Sequence, residues 1–254
     1  MIEIQSRQNA ALKHLARLGR ERKYRRSTGE MLCEGEKMLT EALRSGAEIK
    51  TVLVRRGFES GELRQAEKQG AAMYCAEDAL FRLASEVESP QNVIFSCMQP
   101  QWDAAALDDR EQVLLLDGLQ DPGNLGTILR TADAMGAVGL LLGSGCADPY
   151  APKPLRAAMG SIYHMPVWQG DLPTEIEKLK RQDYTLVCGH LKGEGTLPAA
   201  TERMCLVIGN EGNGVSDNVA DMCHKYRLPM YGFAESLNAA VILIYELARG
   251  MHAE

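Results

Sequence analysis

Apolar residues recur along this chain in two alternating rhythms. Short runs at 31–35, 51–54, 73–75 and 93–98 are aliphatic or β-branched and end at polar or glycine positions, which predicts strands. Between them, apolar residues fall at helical spacing through Leu39, Ala42 and Leu43, over 61–70 and over 78–85. Residues 5–26 predict one amphipathic helix, with Leu12, Leu15, Ala16 and Leu18 as its apolar stripe. Alternating strands and helices over residues 1–98 describe a small α/β domain. Residues 99–111, with Pro100 and an Asp/Ala-rich run, have no apolar period and read as a linker. The second domain, 112–254, opens with Val113-Leu114-Leu115-Leu116, the near-continuous apolar run of a strand covered on both faces. Further strands are predicted at 139–142, 165–167, 185–188 and 205–208, with helices at 125–135, 154–160, 174–181 and 239–249.

Two loops carry the candidate chemistry. The run at 205–208 stops abruptly at Gly209-Asn210-Glu211-Gly212-Asn213-Gly214, and loops at the carboxyl ends of parallel strands are where α/β proteins bind ligands. Glu211 is either a turn acid or a hydrogen-bond acceptor for a ligand. Ser236 and Asn238 stand just before the helix at 239–249, where side chains cap a helix or face a ligand. A third loop, Asp117 to Asn124, has Pro-Gly punctuation and places Asn124 at the expected N-cap. In the helix behind it, Leu125, Ile128, Leu129 and Ala132 form one face. Arg130 lies opposite that face, as a plain surface arginine or as a cation presented to a phosphate or a partner subunit.

The order G-x-x-G-x-G at 209–214, with only the end of the chain to follow, argues against a dinucleotide-binding βαβ unit. A dinucleotide-dependent oxidoreductase therefore rests on the glycines and the βα rhythm alone. No G-x-x-x-x-G-K-[ST], H-E-x-x-H or G-x-S-x-G occurs, which removes the corresponding nucleotidase, metalloprotease and serine-hydrolase readings.

Composition sharpens the setting. The 254 residues are 45% hydrophobic and 24% charged, and no apolar run approaches the roughly 20 residues of a membrane helix. The N-terminus lacks the basic-then-apolar order of a signal peptide. Seven scattered cysteines without a C-x-x-C pair fit reduced thiols in a cytoplasm, and the five histidines form no ligand spacing, so no metal is expected. The net charge of −6 is uneven: residues 1–30 hold Arg7, Lys13, Arg17, Arg20, Arg22, Lys23, Arg25 and Arg26 against Glu3, Glu21 and Glu30. Such a stretch is either a phosphate-binding face or a helix surface with paired charges.

The motifs resemble a known family. Asn124-Leu125-Gly126-Thr127-Ile128-Leu129-Arg130-Thr131-Ala132-Asp133, then Ile208-Gly209-Asn210-Glu211-Gly212, then Leu228-Pro229-Met230 with Glu235-Ser236-Leu237-Asn238, are similar to the three signature motifs of the SpoU/TrmH group of SPOUT methyltransferases. Between them, 147–153 and 156–161 also match. Ser6-Arg7-Gln8-Asn9, Glu34-Gly35-Glu36-Lys37 and Ser89-Pro90-Gln91 resemble the group's substrate-binding domain, so the likeness covers nearly the whole chain.

This resemblance implies an α/β fold whose C-terminal segment is threaded as a deep trefoil knot, an exception to unknotted topology. It implies S-adenosylmethionine held by backbone around Gly189, Gly209, Leu228 and Leu237, a homodimer through the C-terminal domain, and methyl transfer to a ribose 2′-hydroxyl of RNA. Arg130, Asn124, Glu211, Ser236 and Asn238 are the implied active-site set. The N-terminal domain resembles that of rRNA-modifying members, which favours ribosomal over transfer RNA. One departure stands out: about three residues are missing between Asn238 and Tyr245-Glu246 relative to the family pattern, nearly one helical turn. That shortening keeps open a non-catalytic RNA-binding member of the same fold.

Overall fold

The computed structural model describes residues 1–102, 111–137, 139–199, 201–229 and 239–251. In chain order its elements are β1 (Ile2–Ile4), α1 (Ala10–Arg20), α2 (Arg22–Thr28), β2 (Glu30–Glu34), α3 (Glu36–Arg44), β3 (Ile49–Arg55), α4 (Gly61–Lys68), β4 (Ala72–Ala76), α5 (Asp78–Phe81), β5 (Val93–Met98), β6 (Gln112–Leu116), α6 (Pro122–Ala134), β7 (Leu140–Leu142), α7 (Pro152–Ala158), β8 (Val167–Gln169), α8 (Leu172–Arg181), β9 (Thr185–Glu194), β10 (Met204–Ile208), α9 (Asp217–Ala220), β11 (His224–Tyr226) and α10 (Ala239–Met251). They form two compact units. One joins Met1–Gln101 to Asp148–His164, and the other joins Trp102–Ala147 to Met165–Glu254. Most of the expected linker, residues 103–110, lies outside the described residues.

The first unit holds a mixed five-stranded sheet in the order β1-β4-β3-β5-β2, in which β1, β4 and β3 run parallel and β5 is antiparallel to both β3 and β2. Ile4, Leu12, Leu15, Leu18, Phe81 and Ile94 pack together as its core. The single helix expected over 5–26 is two. The Asn9 side chain accepts from the N–H groups of Ala11 (2.9 Å) and Leu12 (3.2 Å), which delays the start to Ala10. Glu21 is extended at φ −108°, ψ 103°, and that breaks the helix. The break turns Arg25 inward. Its guanidinium donates to Asp148 Oδ2 (2.6 and 3.0 Å) and to the carbonyls of Leu18 (2.6 Å) and Gly19 (3.2 Å). A buried guanidinium is tolerated only with such saturation. Asp148–His164 is thus built into this unit, and its Tyr163 hydroxyl lies 3.3 Å from both Cys33 Sγ and Cys97 Sγ.

The second unit is a six-stranded, all-parallel sheet in the order β11-β9-β10-β6-β7-β8. Every residue of β6 and β10 is buried, as expected for central strands with both faces covered. β9 runs on to Glu194, six residues past its expected end, and α9 and β11 were not anticipated. Short, polar stretches such as His224-Lys225-Tyr226 carry no apolar period, so their pairing is decided by the neighbouring strand.

Candidate active site

The carboxyl ends of β6, β9 and β10 lie side by side, and the loops leaving them converge. Asp121, not Asn124, caps α6: its side chain accepts the N–H of Asn124 at 2.7 Å, with Pro122 at the first helical position. The expected cap residue is therefore displaced into the first turn. Its side chain reaches across to the glycine loop, where Asn124 Nδ2 donates to Glu211 Oε1 at 3.1 Å. Glu211 also accepts the N–H groups of Asp121 (3.3 Å) and Gln120 (3.4 Å), so the carboxylate sits against the positive end of α6. Burial raises the Glu211 pKa, but hydrogen bonds from Asn124 and from backbone N–H groups outweigh it and hold it below the ordinary value. Glu211 thus accepts hydrogen bonds from Asn124, Asp121 and Gln120 of the chain itself.

The glycine loop is fixed by residues that periodicity did not single out. Asn210 and Gly214 exchange backbone hydrogen bonds (2.9 and 2.8 Å). The Asn210 side chain accepts from the N–H groups of Gly212 and Asn213 and donates to the Gly118 carbonyl at 2.9 Å. Asp117 Oδ2 accepts the N–H (2.8 Å) and hydroxyl (2.5 Å) of Ser216. A Cβ on Gly209 would lie 2.1 Å from the Gly214 carbonyl carbon, so only glycine fits there. The sole sequence signal for Asn210 was its place between Gly209 and Glu211, where Asx side chains close turns.

These loops enclose a cavity of about 490 Å³. Asn124, Gly189, Gly209, Glu211 and Leu228, five of the nine expected site residues, line it together. Leu119, Ile128, Tyr226 and Leu243 give it apolar walls, Lys192 and Arg227 add cationic groups, and His190 adds an imidazole. Residues 189–192 reach it where β9 bulges: Cys188 pairs with Lys225, but the next pair is Glu194 with Tyr226. Arg130 is exposed on α6, away from the buried stripe of Leu125, Ile128, Leu129 and Ala132, and is not among the lining residues. Ser236, Leu237 and Asn238 lie outside the described residues.

In the first unit, the basic stretch divides. Arg25 is buried and paired with Asp148, Arg17 pairs with Glu21 and Arg20 with Glu86. Arg7, Lys13, Arg22 and Lys23 are exposed. Among the described residues, no group of three or more His, Cys, Asp or Glu side chains could hold a metal ion. No helix there is long and apolar enough to cross a membrane.

Comparison with known proteins adds to this geometry. A model described as the SpoU rRNA Methylase family matches residues 111–244, and one described as an MRM3-like substrate binding domain matches residues 9–94. The 23S rRNA (guanosine(2553)-2'-O)-methyltransferase RlmP of Bacillus subtilis (strain 168) is 35% identical over 97% of this chain and 99% of its own. An rRNA methyltransferase from Sinorhizobium meliloti superposes with a TM-score of 0.88 at 27% identity, covering 99% of this chain and 98% of that one. The SpoU methyltransferase AviRb from Streptomyces viridochromogenes, in complex with the cofactor AdoMet, gives a TM-score of 0.84 at 29% identity, covering 97% of this chain and 99% of that one.

Proposed function

We propose, from the premise that this chain belongs to the SpoU rRNA Methylase family, that the cavity at the ends of β6, β9 and β10, together with Arg130, is its active centre. The protein is an S-adenosylmethionine-dependent RNA 2′-O-ribose methyltransferase, and its substrate is ribosomal RNA. The observation that carries the siting is that Asn124 of α6, Gly189 of β9, Gly209 and Glu211 of the glycine loop and Leu228 beyond β11 line one cavity.

The residues present suit the cofactor. A volume of about 490 Å³ lies within the roughly 300–1,000 Å³ of small-ligand sites. Gly209 lines the cavity and lets the Gly214–Val215 backbone close against it, and Leu119, Ile128 and Leu243 supply apolar walls for a nucleoside. Bound S-adenosylmethionine supplies an electrophilic methyl group. The backbone around Gly189, Gly209 and Leu228, with Leu237, holds it. A guanidinium pKa above about 12 makes Arg130 a poor general base at neutral pH. Arg130 instead grips the phosphate beside the target ribose and stabilises the oxygen as its proton leaves, while Asn124, Ser236 and Asn238 orient the reacting groups. Glu211 holds Asn124 in place through the 3.1 Å hydrogen bond.

Residues 1–98 serve as the RNA substrate-binding domain, 99–111 as the linker, and 112–254 as the methyltransferase domain with its trefoil knot. The exposed cations Arg7, Lys13, Arg22 and Lys23 support RNA contact in the first of these. The enzyme works in the cytoplasm as a homodimer through its C-terminal domain; Tyr245, 52% exposed on the apolar helix α10, supports that interface. The test is transfer of labelled methyl from S-adenosylmethionine to ribosomal RNA from cells lacking the protein, with ribose methylation mapped by position. One or a few new 2′-O-methyl sites are expected, and no transfer to any ribosomal RNA would end this reading.

A further inference from the structure

Past Cys188, β9 leaves its ladder with β11 over residues 189–193 and rejoins it where Glu194 pairs with Tyr226. The tip of this bulge is fixed by its own bonds. The Lys192 N–H donates to His190 Nδ1 at 3.1 Å, which closes the tip on itself. The Arg227 N–H donates to the Glu194 carbonyl at 2.7 Å, and Gly193 packs so tightly that a Cβ there would lie 2.6 Å from the Lys225 carbonyl oxygen. Lys192 and Arg227 are thus anchored within two residues of one backbone contact, and the side chains of both are exposed and line the cavity. Between His190 and Lys192 stands Leu191, another lining residue, 83% exposed and the most exposed large apolar side chain among the described residues.

A lone exposed leucine needs no explanation. Beside two unpaired cations at a cavity it does. Among the described residues neither Lys192 nor Arg227 has a carboxylate partner, in a chain whose net charge is −6. The cofactor does not account for them. S-adenosylmethionine brings an ammonium, a sulfonium and a single carboxylate, so its net charge is positive and a pair of spare cations repels it as a whole. It also leaves an apolar group in water unexplained. An unpaired RNA strand answers both features, with a negative charge on every phosphate and apolar faces on its splayed bases.

We propose that the β9 bulge is a contact surface for the substrate RNA: Lys192 and Arg227 neutralise phosphates close to the nucleotide being methylated, and Leu191 packs against the face of an unpaired base. The identity of the nucleic acid and of the cavity rests on the function proposed above. Phosphate contacts set the register of a strand and carry no sequence information, so this surface positions the RNA and does not select its sequence. A base paired and stacked within a helix hides its faces, so the segment that meets Leu191 is single-stranded.

The full-length protein is titrated over a series of salt concentrations with ribosomal RNA from cells lacking the protein, and separately with S-adenosylmethionine by calorimetry. Lys192→Ala and Arg227→Ala should each weaken RNA binding about three- to tenfold and lower the logarithmic salt slope by about 0.7 for each single-strand phosphate no longer neutralised. Lys192→Arg should retain both affinity and slope. Leu191→Ala should weaken RNA binding about threefold with the slope unchanged, because it removes apolar contact and no charge. Affinity for S-adenosylmethionine should change less than about twofold in all four variants. Three results would each overturn the proposal. They are loss of cofactor affinity with RNA binding kept, which would give the cations to the methionyl carboxylate; a salt slope that moves in neither cation variant; and full RNA binding by Leu191→Ala. RNA binding is read here without methyl transfer. A protein that binds RNA through these residues and transfers no methyl would therefore sink the enzymatic reading and leave this contact standing.

Discussion

Asn124 and Glu211 are 87 residues apart in the chain, yet the amide of one donates to the carboxylate of the other at 3.1 Å. That bond joins the first turn of α6 to the glycine loop after β10. If it positions Asn124 for the reaction, Asn124→Ala, Glu211→Ala and the double variant should be non-additive in kcat/KM. The expected coupling is about 0.5–1.5 kcal/mol, the net scale of one side-chain hydrogen bond. Strictly additive losses would show that the two side chains act independently.

The same carboxylate makes a statement about pH. The hydrogen bonds from Asn124 and the backbone keep the folded-state pKa of Glu211 below its unfolded value, despite burial. Its contribution to stability is therefore fully present above the unfolded pKa and is lost as pH falls through the lower folded value. Glu211→Gln should remove that portion of the acid limb in a pH series of thermal melts. An unchanged acid limb would assign the loss to other carboxylates.

Arg130 is exposed and outside the cavity lining. Arg130→Ala should lower kcat by about 10²–10³-fold, the scale for losing one electrostatic stabiliser. Its dissociation constant for S-adenosylmethionine, by calorimetry, should change less than about threefold. Equal loss of both would mean that Arg130 shapes the cofactor site.

Gly209→Ala tests the glycine loop directly. With 2.1 Å between the added carbon and the Gly214 carbonyl carbon, the loop must open. Overpacking on this scale costs about 1–3 kcal/mol, a fall in Tm of roughly 3–10 °C. Cofactor affinity should fall with it, and a variant with unchanged affinity would place the cofactor elsewhere.

Charge reversal at Lys13, Arg22 and Lys23, all exposed, should weaken RNA binding and flatten its dependence on salt, by about 0.9 in logarithmic slope for each phosphate no longer neutralised. Cofactor affinity should not move. An unaltered slope would direct the RNA to another face.

The strong rhythms of the chain were legible. β6, β10 and the core face of α6 carry enough apolar residues at one period to be read directly, and Arg130 was correctly turned away from that face. The failures fell where side chains bond locally. Asp121 took the cap from Asn124 because its carboxylate meets the Asn124 N–H, and Asn9 and Glu21 divided a stretch that by period alone was one helix. The extension of β9 was hidden because Gly189-His190-Leu191-Lys192-Gly193 has no alternation; Gly193 allows it, since a Cβ there would lie 2.6 Å from the Lys225 backbone. Cavity residues on that extension could not be inferred from spacing, whereas Gly189, Gly209, Leu228, Asn124 and Glu211 came from the motifs.

The inclusion of Asp148–His164 in the unit formed by Met1–Gln101 has an evolutionary side. A recombination event that exchanged the N-terminal hundred residues at one junction would separate Arg25 from its own Asp148, and the thiols at 33 and 97 from their own Tyr163. A chimera whose halves match at these positions keeps the contacts; one that brings Arg25 to a half lacking Asp148 carries an uncompensated buried cation, a defect of about 3–5 kcal/mol. Substitutions at 25 and 148 should therefore drift as a pair.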